Sequence, residues 1–69
     1  MDNMSIKKKA LARRIEQYDN SLSRAKDANM HNICMMWLHK KNGLEEAFEI
    51  IFGQSYIDYW MEEMEKETI

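Results

Sequence analysis

Apolar residues recur along the first half of the chain at helical spacing, not at strand spacing. At about 100° per residue, Met4, Leu11, Ile15, Tyr18, Leu22, Ala25, Ile33 and Met36 fall within a stripe about 80° wide. No run alternates apolar and polar residues as a half-buried strand would. Lys8 and Asn29 interrupt the stripe. Between Met30 and Leu38 the pattern changes, and residues 30 and 33–38 are apolar nearly all round the helix. Such a segment needs cover on more than one side, whereas residues 5–29 need a single neighbour.

The end of this pattern is marked by chemistry. His39, Lys40 and Lys41 suit the negative end of a helix dipole, and Asn42-Gly43 offers residues able to turn left-handed. Ser5 is placed to cap the start. The pattern therefore predicts one long helix over about residues 5–41, spanning about 55 Å at 1.5 Å per residue. A second helix is expected over 44–52, with Glu45 and Glu46 in its first turn and Leu44, Ala47, Phe48 and Ile51 on its face. Gly53 should end it. Ser55 then caps a third helix over 55–66, with Asp58 three residues later as the acidic partner of a capping box. If the second helix continued through Gly53, the apolar face of 57, 60, 61 and 64 would lie roughly 140° from that of 44, 47, 48 and 51. A break there removes the mismatch.

The expected fold is all-α: residues 1–69 form one small domain, a long N-terminal helix folded back at Asn42-Gly43 on two shorter ones as a helical hairpin. The two shorter helices reach only roughly 33 Å along the first, so residues 5–18 would overhang. Their stripe of Met4, Leu11, Ile15 and Tyr18, continued by Leu22, would then seek a second copy in an antiparallel homodimer.

Composition narrows the class further. The 69 residues contain no proline and two glycines, with 45% hydrophobic and 32% charged residues, a balance that excludes collagen-like and disordered chains. The longest apolar run, Ile33 to Leu38, is far short of the roughly 20 residues that cross a membrane. One cysteine, Cys34, allows no internal disulfide and suits a reducing, cytoplasmic setting. The net charge of −2 conceals an asymmetry: residues 1–42 carry nine Lys/Arg against four acids, and residues 43–69 carry one lysine against eight acids. Oppositely charged halves attract, within one molecule or between two.

Candidate chemistry is sparse. Lys7, Lys8, Lys9, Arg13 and Arg14 are the residues a nucleic acid would contact, but their helical angles scatter them round the helix instead of gathering them for one phosphate backbone. His31, Met35 and His39 repeat at four-residue spacing beside Cys34, a set that would need ligands from another chain to close a metal site. No metal or cofactor is expected. Cys34 sits where burial raises a thiol's pKa, and no phosphate loop or HExxH motif is present, so no enzyme is expected either.

The aromatic C-terminal segment is the stronger lead. Phe48, Phe52, Tyr56, Tyr59 and Trp60 lie within 13 residues, followed by Met61 and Met64, a composition favoured at interface centres. With Glu62 and Glu63 beside them, Phe52, Tyr56, Tyr59 and Trp60 form a candidate surface for a basic partner protein. The sequence thus points to a small non-enzymatic regulator or inhibitor acting stoichiometrically on another protein. Such size and composition are common among proteins of phages and mobile elements, an analogy without a motif. A nucleic-acid-binding dimer and a structural subunit of a helical assembly are the alternatives.

Overall fold

The computed structural model describes residues 3–67 as three helices, with no strand among the described residues: α1 (Asn3–Asp27), α2 (His31–Phe52) and α3 (Tyr56–Glu67). The chain is all-α. Its extents are 42 × 28 × 18 Å.

The helix expected over 5–41 is two helices, and the chain reverses at Asn29 instead of at Asn42-Gly43. Asn29 adopts a left-handed conformation, φ 56°. The amide of Met30 donates to the Ala25 carbonyl at 3.0 Å and that of Asn29 to the Lys26 carbonyl at 3.0 Å. This pair of bonds is the Schellman arrangement, which satisfies the last carbonyls of a helix when the next residue turns left-handed. Asparagine is among the few residues other than glycine that visit this region at little cost. Arg24 and Lys26 lie in the last turn of α1, where the dipole favours cations. Asn42 and Gly43 continue α2 without interruption. Ser5, expected as a cap, lies within the first turn of α1.

Packing explains the choice. Tyr18 meets Trp37 at a centroid distance of 5.3 Å, Asp19 pairs with Lys41 at 2.9 Å, and Ile15 packs with Phe48. Lys8 and Ile15, early in α1, lie against Phe52 and Phe48 at the end of α2, whereas Tyr18 and Asp19, further along α1, meet Trp37 and Lys41, so α1 and α2 are antiparallel. Trp37, Lys41, Leu44, Phe48 and Phe52 recur every three or four residues, placing one face of α2 against α1. A break at residue 42 would separate the two halves of that face. Ile33 and Met36, in phase with the α1 stripe by arithmetic alone, are 39% and 43% exposed.

The overhang disappears with the earlier turn. Residues 5–18 lie under the second half of α2, and Ile15 and Leu22, expected to meet a second copy, are buried within the chain. Met4 is half-exposed, while Leu11 and Tyr18 are half-buried. The residues 44–52 expected as a separate helix are the C-terminal part of α2.

The second break falls where the spacing places it. Gly53 is left-handed, φ 67°, and its amide donates to the Glu49 carbonyl at 2.8 Å. The Asp58 amide donates to the Ser55 hydroxyl at 3.2 Å, capping α3. No described helix is long and apolar enough to cross a membrane.

Candidate protein-binding surface

Phe48 organises the end of the molecule that carries the aromatic segment. Its ring is fully buried and meets Phe52 at 4.9 Å, Tyr56 at 6.0 Å and Tyr59 at 5.5 Å between centroids. The first two contacts are edge-on, the geometry preferred by ring quadrupoles. Lys8 closes this cluster from α1. Its ammonium lies 5.1 Å from the Tyr59 ring, 5.8 Å from Phe52 and 5.9 Å from Phe48, and it donates to Gln54 Oε1 at 2.7 Å. The polar residue that interrupts the α1 stripe is thus a cation held over three rings.

This arrangement sorts the sequence-derived candidates. Phe52, Tyr56 and Tyr59 face inward and pack against the core of Ala12, Ile15 and Phe48. Burial raises the pKa of both tyrosines; Glu16, Asp19 and Glu45 add to the rise at Tyr56, and Glu63 adds to it at Tyr59, where Lys66 and Arg13 oppose it. Trp60 faces outward, 49% exposed. Glu62 is exposed, and Glu63 is half-buried, with Lys66 Nζ 3.5 Å from its carboxylate.

Residues that the sequence reading did not assign to the surface complete it. Ile57, Met61 and Met64 are 62%, 52% and 43% exposed. With Trp60 they follow an i, i+3, i+4, i+7 spacing, so the four form one stripe along α3. None of the residues of α3 is buried. By helical phase Glu65 borders one edge of the stripe, and Glu63 and Glu67 the other. The signal was present in the spacing of 57, 60, 61 and 64. Their direction depended on Gly53, whose left-handed turn rolls Tyr56 and Tyr59 inward and leaves this stripe outside.

Beside the stripe, a cleft of about 430 Å³ separates α3 from α1. It is lined from α1 by Lys9, Arg13 and Glu16 and from α3 by Trp60, Glu63, Met64 and Glu67. Of the acids of α3, Glu63 and Glu67 share this cleft with Lys9 and Arg13; Arg24 and Lys26 lie near the Asn29 turn.

The basic residues of α1 do not gather. Lys8 is committed to the aromatic cluster, Lys9 and Arg13 line the α3 cleft, and Lys7 and Arg14 line a separate groove with Met4, Ala10, Leu11, Ile51 and Phe52. His31 and Cys34 sit with Lys26 and Asn29 at the turn. Among the described residues, no three His, Cys, Asp or Glu side chains come together as a metal ion would require. No protein family, characterised protein or solved structure matches this chain.

Proposed function

We propose that this helical hairpin is a non-enzymatic protein-binding module, a stoichiometric regulator or inhibitor that lays α3 into a groove of a larger partner. The observation that carries this reading is the outward stripe of Ile57, Trp60, Met61 and Met64 on a helix with no buried residue. Amphipathic helices that dock into grooves present this spacing of anchors. Trp and Met are suited to the role, one burying a large rigid surface and the other adapting to irregular gaps. The bordering glutamates call for a partner groove that is apolar at its floor and basic at its rim. The lone thiol of Cys34 suits a cytoplasmic setting.

Affinity capture from lysate tests the reading, using the tagged chain with and without nuclease. One protein recovered in near-equal amount, and lost when Trp60→Ala and Met61→Ala are combined, is the expected result. Circular dichroism should show unchanged helix, because both side chains are half-exposed. Capture unaffected by the double substitution would remove α3 from the interface. Capture abolished by nuclease would move the working end to Lys7, Lys9, Arg13 and Arg14.

A further inference from the structure

The groove between α1 and the end of α2, about 420 Å³ in volume, has the chemistry that the α3 stripe calls for. Half-buried Leu11 and Phe52 and half-exposed Met4 and Ile51 give it an apolar lining. Lys7 and Arg14, both exposed, are the charged residues along it, and none of its described lining residues is acidic. Met4, Lys7, Leu11 and Arg14 are spaced three, four and three residues apart, so they share one face of α1. A groove that is apolar inside and cationic along one wall fits an amphipathic helix with acids at its edges.

The third helix of the chain is such a helix. Its outward stripe of Ile57, Trp60, Met61 and Met64 supplies the apolar anchors. By helical phase, Asp58 and Glu65 border one edge of that stripe. They are seven residues apart, as are Lys7 and Arg14, a span of about 10 Å along either helix. Two acids therefore match two cations in spacing as well as in sign. The other edge, at Glu63 and Glu67, is acidic too, and Lys66 lies on the far side of α3 by phase. Whichever way α3 runs along the groove, an acidic edge faces the cationic wall.

Within one chain the two surfaces do not meet. The flank of α1 nearest α3 carries Lys9, Ala12, Arg13 and Glu16, which line the cleft with Tyr56 and Trp60. By helical phase that flank lies roughly 180° from the one carrying Lys7, Leu11 and Arg14.

We propose that α3 of one copy docks in this groove of the next, so that copies associate head to tail. The inference rests on the reading of α3 as a docking helix, and adds that a second copy competes with the larger partner for it. Because α3 and the groove lie on opposite sides of α1, each contact leaves an undocked α3 at one end and an unfilled groove at the other. Association of this heterologous kind continues past two copies. Lone chains offer α3 to the partner and assembled chains cover it, so concentration sets how much of the protein is competent to bind.

Sedimentation equilibrium of the full chain, from low to high micromolar concentration, should show an average mass rising past twice the single-chain 8.3 kDa. Lys7→Glu with Arg14→Glu reverses the groove's charge at exposed positions, and Trp60→Ala with Met61→Ala removes anchors of the stripe. Each double variant alone should remain a single chain with unchanged circular dichroism. Mixed, one supplies an intact stripe and the other an intact groove, so they should form a pair, one of each, and grow no further. A single-chain mass for the unaltered protein, growth that stops at two copies, a variant that still grows, or a mixture that fails to pair would each overturn the proposal. Partner capture separates the two readings, because the Lys7→Glu, Arg14→Glu chain keeps its stripe and should still capture the larger protein. Capture by a chain that never associates would overturn this inference alone, whereas association with no partner captured would overturn the proposed function alone.

Discussion

Lys8 shows how one residue can contradict a pattern and yet stabilise the fold. It stands where α1 should be apolar, and its ammonium is enclosed by Phe48, Phe52 and Tyr59 and bonded to Gln54. A partly desolvated cation over aromatic rings contributes about 1–2 kcal/mol. Lys8→Ala should lower the free energy of unfolding by about that amount, read from urea denaturation. Lys7→Ala and Lys9→Ala, both at exposed positions, should stay within about 0.5 kcal/mol. Equal effects at all three would mean that the ring cluster does not hold Lys8. The tyrosines of the same cluster give a second test. Their folded-state pKa values lie above 10.0, the ordinary value, chiefly through burial. Between the unfolded and folded values the native state holds more protons, so the stability these tyrosines contribute is lost as the pH rises through this range. Alkaline denaturation followed by helix signal, alongside tyrosinate absorbance, should show unfolding coupled to ionisation of Tyr56 and Tyr59. Ionisation at the ordinary value with intact helix would contradict the packing.

At the scale of the element, three residues compete to end helices, and two do so. Asn29 and Gly53 are left-handed, while Gly43 lies inside α2 with open space around the position of a Cβ. Gly43→Ala should therefore raise the stability of α2 by about 0.5–1 kcal/mol, the usual cost of glycine in a helix interior. Gly53→Ala should destabilise by roughly 1 kcal/mol, because an L side chain is strained at this φ. Melting temperatures moving in opposite directions would confirm the assignment. This pair also marks how far the sequence could be read. The all-α class, the Gly53 break and the Ser55 cap follow from local chemistry, and all were legible. Asn29 was visible as an interruption of the stripe. Choosing between it and Asn42-Gly43 required knowing that Phe48 reaches Ile15 and Ala12, a contact across 33 residues that no local preference encodes. The candidate surface was half legible for the same reason. Trp60 was named, but the inward roll of Tyr56 and Tyr59 depends on the turn that precedes them.

As a whole molecule the chain is thin for its length, and Ala12, Ile15, Leu22, Ala25 and Phe48 are its buried hydrophobic core. A core of this size supplies only about 3–5 kcal/mol. The division of charge between the ends of the sequence also takes on a spatial meaning. Folding at Asn29 brings Lys9 and Arg13 from the start of the chain and Glu63 and Glu67 from its end to line one cleft.

The placement of the two tryptophans has an optical consequence. Trp60 stands on the outward stripe of α3, half-exposed, while Trp37 lies against Tyr18 where α2 packs on α1, with the Lys40 ammonium over its ring. Each indole therefore sits in a different setting, one packed inside the chain and one turned outward, and in a different electric field. Replacing either one with phenylalanine would leave a molecule whose intrinsic emission reports on a single face. The chain thus carries two native tryptophan reporters, one set in the packing of α2 on α1 and the other on the stripe proposed to meet a partner.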